Sequence, residues 1–495
     1  MLSSLVTLVQ GLVAMLSLGL WLMLVAASLH VLRLGLWAFR NPMADPAPPT
    51  IDDAALPKVT VQLPMRNERL VAARAIRAAC ALSWPQDRLQ IQVLDDSDAS
   101  DDTVAIVDAE IARQQLAGFE ITVVRRMARR SFKAGHLDYA LPLATGEFVA
   151  VLDVDFVPAS DFLRRLVPHL MARPSLAFVQ GRWSFLNETE SVLQRVQGLI
   201  LHGLFLVEQA YLSAHSQPVQ FNGSGGVWRK EALLRAGGWV GSEAESTASV
   251  TEDLDLSYRV RLLGYESLHL PSVAVPTELP ESMAAFRSQQ KRWVRGGAQV
   301  LRSLLVKLMT PGRSMSERVT MLLHLTRHVR QPYLALALLF LPLGPLGLVE
   351  SLFGPPGGML TAVLLLWLSL AVYYGAALRR IGRSPLPAVL LGPLVMVLSM
   401  GLCVSLTVEL LRGVLSSRQG AEFVRTPKTG GQKQPAVQYR PVFDRLARIE
   451  VLVGVAYLVM AAVLIGRGDY LTAVGFGGLI GVGLLWVGGG SLRIR

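Results

Sequence analysis

Residues 148–158 read "FVAVLDVDFVP": an apolar run that ends in two acids, Asp153 and Asp155. The run has the pattern of a strand buried on both faces. Two carboxylates two residues apart are costly unless a cation or a proton sits between them. The stretches before it repeat the theme. "KVTVQLP" from Lys58, "LQIQVLDDS" and "FEITVVRR" read as strands, and "AARAIRAACAL", "DDTVAIVDAEIARQQ" and "KAGHLDYALPLATG" read as helices. Strands alternating with helices at this spacing predict an α/β domain, a mostly parallel sheet with helices on its faces. Ligands of such sheets bind beyond the carboxyl ends of the strands. Asp95, Asp96, Asp153 and Asp155 all fall at such ends.

The whole chain is more apolar than an ordinary soluble enzyme: 52% of its 495 residues are hydrophobic and the mean hydropathy is +0.41. The apolarity is uneven. Residues 1–41 hold an apolar span at about Leu5–Trp37, residues 42–314 have ordinary globular composition, and residues 315–495 carry further apolar segments. The first span has no Lys or Arg before Arg33, unlike a secretory signal, so it is expected to be a retained transmembrane helix. The net charge is +11. A basic balance raises nucleic acid as a partner, but Arg327, Arg330, Arg379, Arg380, Arg383 and the 412–448 stretch flank apolar spans. That pattern fits a positive cytosolic side and anionic lipid head groups, not nucleic acid. Two cysteines, Cys80 and Cys403, cannot make a disulfide framework.

Downstream apolar segments fall at about 333–352, 359–378, 386–411, 451–465 and 471–487. If 386–411 crossed, the strongly basic loop 412–448 would lie outside, against the charge rule. The expectation is that 386–411 lies at the interface, leaving four C-terminal crossings and one N-terminal crossing, with the globular domain in the cytosol. Six crossings with a basic outer loop is the other reading.

No GxGxxG follows the first strand, no GxxxxGK[ST] occurs, and no His/Cys cluster has zinc spacing. Paired carboxylates suit a hard cation, Mg²⁺ or Mn²⁺, completed by substrate phosphates. A turn or capping role for both acids is equally open on spacing alone.

Five stretches stand in a fixed order: "VLDDSDASDD" around Asp95, "KAGHLDYAL" from Lys133, "LDVDF" at Asp153, "TEDLDLSYR" at Thr251 and "QQKRW" at Gln289. Together they resemble the membrane-embedded family-2 glycosyltransferases of the cellulose-synthase-like superfamily, over roughly residues 64–428. "FNGSGGVWRKEAL", "VQGRWSFLN" and "ELPESMAAFRSQQKRW" are most similar to the cellulose-synthase-like A group, the mannan and glucomannan synthases.

The resemblance implies a GT-A-type cytosolic domain between transmembrane helices and a set of roles. Asp95 or Asp96, with Glu68, would meet the nucleotide, and Lys133, Gln289 and Arg292 the diphosphate. Asp153 and Asp155 would carry the metal. Asp253, with Glu252 beside it, would be the general base. Trp293 would stack under the acceptor sugar, and Asn222, Gly223 and Ser224 would form a loop near it. "FVRTPKTG" resembles a gating loop and brings Phe423, Arg425, Thr426 and Lys428 over the nucleotide, although Arg425 stands where that pattern has Val. The implied function is an inverting, metal-dependent, processive transferase that builds a β-linked mannan or glucomannan from GDP-mannose and passes it through the membrane. UDP-glucose as donor, giving a β-glucan, and non-processive transfer to a lipid acceptor are the alternatives.

Overall fold

The computed structural model describes residues 2–241, 251–308, 314–340, 342, 358–415 and 445–492. The gating-like stretch from Phe423 to Lys428 lies outside them. Seven strands form one sheet: β1 (Val59–Met65), β2 (Leu89–Asp95), β3 (Glu120–Val124), β4 (Phe148–Val151), β5 (Leu176–Phe185), β6 (Gly226–Arg229) and β7 (Glu266–Thr277). Their spatial order is β3-β2-β1-β4-β6-β5-β7. β1 pairs parallel to β2 and β4, and β5 pairs parallel to β7, while β6 runs antiparallel to both β4 and β5. The expected α/β fold is therefore present, with one reversed strand in a mostly parallel sheet.

β1 and β2 alternate apolar and polar residues, yet all seven positions of each are buried. The polar positions pair with each other across the strands. Thr60 Oγ1 donates to Gln90 Oε1 (2.7 Å) and Gln62 Nε2 to Gln92 Oε1 (3.0 Å). Gln90 Oε1 and Thr60 Oγ1 also accept from the backbone N–H groups of Thr145 and Gly146. Burial without such partners would cost several kcal/mol, of order 1–3 per group. The other face packs Val59, Val61 and Leu63 into the main core with Val93, Phe148 and Val179.

Among the described residues, five helices are long and apolar enough to cross a membrane: Val13–Arg40, Leu360–Arg380, Leu386–Leu415, Arg445–Gly466 and Tyr470–Leu492. Met15, Leu18 and Leu22 on the first point outward, as lipid-facing side chains do. Residues 386–411, expected at the interface, lie in one 30-residue helix, Leu386–Leu415, that continues through Pro393. By length and composition it stands among the candidate spans. Half of its most apolar window is buried inside the protein. The 333–352 segment is described only as the helix Arg330–Phe340 and residue 342.

The 26-residue helix Met283–Leu308 joins the sheet domain to these spans. Gly413 permits its close crossing by the Leu386–Leu415 helix, since a Cβ there would sit 2.6 Å from Arg295 O. Arg295 Nε donates to Glu409 Oε2 (2.8 Å), and Arg302 Nη1 to Val414 O (3.1 Å). Arg287 pairs with Glu450 at 2.8 Å, with side-chain exposures of 2% and 0%.

Removing one partner of a buried pair strands the other charge, at about 3–5 kcal/mol, whereas replacing both can be nearly neutral. Arg287→Met is therefore expected to lower the apparent Tm in detergent sharply. Arg287→Met with Glu450→Leu should recover most of the loss. A double variant as unstable as the two single losses added together would contradict this.

Candidate active site

The β-strands deliver their acids to one place. β2 ends at Asp95, and β4 ends two residues before Asp153. Beyond these ends lies a cavity of about 340 Å³ whose walls include Glu68, Asp96, Lys133, Asp153, Asp155 and Asn222. Gly223, Glu252, Asp253, Gln289, Arg292 and Trp293 complete the set. Twelve of the fourteen described residues singled out from the sequence thus share one cavity.

The two exceptions have other work. Asp95 is 3% exposed; its Oδ2 accepts from Arg125 Nε (3.0 Å) and its Oδ1 from Ser97 N. Successive strand residues face opposite ways, and it is Asp96 that turns to the cavity. Ser224 is fully buried, so it does not face an acceptor as expected. Its Oγ accepts from the Asp153 N–H (2.7 Å), and its carbonyl accepts from Gln180 Nε2 and Trp183 Nε1. It fixes the backbone that carries Asp153.

Asp96 is held rigidly. Arg126 donates to both of its oxygens (3.0 and 2.6 Å), and His136 Nδ1 lies 3.1 Å from Oδ1. Burial disfavours its charge, but these hydrogen bonds prevail and bring its carboxyl down to about 2. Nearby, Asn67 and Asp98 exchange hydrogen bonds that tie the loop after β1 to the loop after β2.

Lys133 stands at the start of the helix Phe132–Ala140. Its Nζ donates to Asp153 Oδ1 and to Gly223 O (3.0 Å). Burial opposes its charge, yet Asp153, Glu252 and Asp253 together hold the ammonium above its ordinary range. Gly223 has φ +72°, a conformation glycine adopts readily. A Cβ on it would lie 3.5 Å from Asp253 Oδ2, so this loop passes directly beside that carboxylate. Asp155 is 3% exposed; its Oδ2 accepts from Thr277 Oγ1 (2.5 Å) and from Glu278 N (3.3 Å).

Glu252 and Asp253 begin the helix Glu252–Leu262. Burial raises both carboxyls, and the charge of Glu252 helps push Asp253 up to about 7. Arg259 seats this helix. It pairs with Asp255 (2.7 Å) and donates to the carbonyls of Ala236, Gly238 (2.9 Å) and Trp239 (3.3 Å). The "AGGW" turn is thus a docking point for the helix, and Asp255 is structural. Trp228, Trp239, Phe221 and Phe178 pack beneath it.

Gln289, Arg292 and Trp293 project from one side of the Met283–Leu308 helix into the cavity. Arg287, two residues before Gln289, lies about 200° round the helix from it, toward the spans. Arg66, Arg129, Phe132, Trp183, Glu278 and Arg327 also line the cavity and were not assigned from the sequence. Trp183 and Glu278 fall inside stretches that carry the family resemblance, "VQGRWSFLN" and "ELPES", which was the available signal.

Residues 60–229 match Glycosyl transferase family 2, and residues 148–378 match Glycosyl transferase family group 2. The chain carries a family-2 glycosyltransferase domain. Among curated relatives, it is 41% identical over 264 residues to glucomannan 4-beta-mannosyltransferase 9 of Arabidopsis thaliana, covering 52% of this chain and 48% of that one. It is 40% identical over 276 residues to glucomannan 4-beta-mannosyltransferase 1 of Oryza sativa subsp. japonica, covering 54% and 51%. The chain thus spans about half the length of these relatives. Among solved structures, a mannosyltransferase from Pyrobaculum calidifontis in complex with GDP-Man and Mn²⁺ superposes with TM-score 0.50 at 21% identity, over 74% of this chain and 97% of that one. That likeness shows a GT-A-like fold.

Gly296 brings the Met283–Leu308 helix close to the start of the Glu252–Leu262 helix: a Cβ there would sit 2.4 Å from Thr251 Cγ2 and Oγ1. Gly296→Ala is expected to cost about 1–3 kcal/mol by overpacking, read as a lower apparent Tm. Gly489→Ala, where a Cβ meets nothing within 4 Å, is the control. Equal Tm values for the two variants would contradict the close packing.

Proposed function

We propose that the chain is a membrane-embedded, inverting hexosyltransferase that moves mannose from GDP-mannose to a hydroxyl of a β-linked mannan-type acceptor. Residues 42–314 form its cytosolic catalytic domain, and residues 1–41 and 315–495 its membrane parts. The observation that carries the reading is the meeting, in one cavity, of Asp253, with a carboxyl near pH 7, and the Asp153–Lys133 pair. The relatives that make glucomannan linkages favour mannose as the sugar.

Asp253 accepts the proton of the acceptor hydroxyl as that oxygen bonds to the anomeric carbon. The bond from that carbon to the diphosphate oxygen breaks on the opposite face, and GDP leaves with the electron pair. A base with a pKa near the working pH combines availability with driving force. Lys133, Gln289 and Arg292 donate to the diphosphate, Arg in bidentate fashion. Asp96 holds the nucleoside with Glu68 near it, and Trp293 with the Asn222–Gly223 loop holds the acceptor.

Asp153 and Asp155 would hold Mg²⁺ or Mn²⁺. The site fits such an ion: two oxygen donors face one cavity, and among the described residues no third carboxylate, His or Cys joins them in a closed cage. Mg²⁺ is commonly bound by one or two carboxylates plus substrate phosphates. When bound, the ion neutralises charge on the departing diphosphate. Thr277 and the Glu278 N–H fix Asp155 for this task. Processive extension and passage of the product between the membrane helices belong to the same proposal, with Phe423, Arg425, Thr426 and Lys428 as the segment that closes over the nucleotide.

The test offers purified full-length protein GDP-mannose and UDP-glucose separately, each radiolabelled, with Mn²⁺ or Mg²⁺. High-mass product from GDP-mannose is expected. High-mass product from UDP-glucose alone would make it a β-glucan synthase, and label only in extractable lipid would end the polysaccharide reading. Asp253→Asn should lower kcat by about a hundred- to ten-thousandfold, the usual contribution of a positioned base. The base works only when ionised, so kcat/KM should fall about tenfold per pH unit below about 7. A flat profile between pH 5 and 8 would remove Asp253 from the role. EDTA should abolish transfer, and Asp155→Asn should raise the concentration of Mn²⁺ needed to restore it; activity retained in EDTA would exclude the metal assignment.

A further inference from the structure

Among the described residues, the Lys and Arg side chains lining the cavity are Arg66, Arg129, Lys133, Arg292 and Arg327. Arg66 and Arg129 pair with Asp98, Lys133 pairs with Asp153, and Arg292 lies within electrostatic reach of Glu252. Arg327 differs. Its Nε lies 3.3 Å from His328 Nε2, and among the described residues no carboxylate stands within ion-pairing distance of its Nη groups. In the sequence it reads as one more basic residue flanking an apolar span. In the fold its side chain reaches the cavity.

Its position is fixed from the catalytic side. Arg327 follows the helix Met315–Thr326, whose Met321 and Leu325 pack against Leu254, Tyr258 and Val300. Tyr258 hydrogen-bonds His324 Nδ1 through its hydroxyl (2.6 Å). Tyr258 stands on the same helix as Asp253, so this contact sets Arg327 relative to the base rather than to the strand ends that hold Asp96. The rings of Trp183, Phe205 and Trp293 line the same cavity. Aromatic faces with a few polar groups suit a sugar ring, which has an apolar face and hydroxyl edges. The fixed fork of a guanidinium can donate to two neutral sugar hydroxyls at once.

We propose that Arg327 is an acceptor-binding residue, its Nη groups donating hydrogen bonds to hydroxyls of the acceptor sugar beside Trp293. This rests on reading the cavity as a glycosyl-transfer site, but its test does not need turnover. Full-length protein in detergent is titrated with β-1,4-manno-oligosaccharide and with cello-oligosaccharide, followed by tryptophan fluorescence, and separately with GDP plus Mn²⁺. The variants are Arg327→Gln and Arg327→Lys, with apparent Tm checked for each. Arg327→Gln is expected to raise the oligosaccharide Kd about tenfold or more, as loss of a charged donor does, and to leave the GDP Kd unchanged. Arg327→Lys should fall between, because an ammonium lacks the fork. Preference of the wild type for cello-oligosaccharide would overturn the mannan reading while the Arg327 effect on that ligand still supported this one. Weaker GDP binding with unchanged oligosaccharide binding would assign Arg327 to the diphosphate and overturn the proposal. So would weaker binding only to vesicles of anionic lipid, which would make it a head-group contact, or no oligosaccharide binding by the wild type.

Discussion

Everything in the cavity is arranged around the Lys133 ammonium. It bonds Asp153 from the β4 end and Gly223 O from the glycine-rich loop, and it lies within the field of Glu252 and Asp253. Three chain segments far apart in sequence therefore converge on one positive charge. Like charges this close would otherwise drive their neighbours neutral. Lys133 bonds Asp153 directly, while burial and the charge of Glu252 raise the Asp253 carboxyl to about 7. Under the proposed mechanism these environments suit different tasks, Asp153 holding charge and Asp253 exchanging a proton.

The Met283–Leu308 helix is the second constraint. One side supplies Gln289, Arg292 and Trp293 to the cavity, while Arg287 and Arg295 reach carboxylates on two membrane-spanning helices. Glu409 and Glu450 stand at the roots of the 416–444 stretch that joins those helices. A shift of either span would be transmitted to the side chains this helix presents to the cavity. The sheet domain is thus docked to the membrane by buried charge pairs as well as by apolar surface, which fixes orientation more sharply than apolar contact alone.

Much of the site was legible because its chemistry is local. Asp153 and Asp155, the "TED" acids and the "QxxRW" triplet each place reactive groups within a turn of one another, and such groups stay together in any fold. What was not legible depends on which side of an element meets the cavity. Asp95 and Asp96 are adjacent and chemically alike, and only the sheet decides that Asp96 faces in. Ser224 belongs to a loop that does reach the cavity, but its side chain turns under Asp153. The Gln and Thr residues of β1 and β2 look like a solvated strand face and are buried in pairs. For residues 386–411 two sequence rules conflict: the charge of the following loop favours an interfacial helix, and length with apolarity favours a span. Arg327 carried no signal beyond its charge, because its place in the cavity follows from how the Met315–Thr326 helix packs.

The stereochemistry of the product distinguishes the proposed single-displacement transfer, with Asp253 as base, from its alternatives. GDP-α-mannose labelled with ¹³C at the anomeric carbon is turned over by the full-length protein, and the configuration of the new linkage is read by NMR. A β-linkage is the expected result, since attack from the face opposite the diphosphate inverts that carbon. An α-linked product would contradict the account, because retention needs either a second displacement or attack from the side of the leaving group.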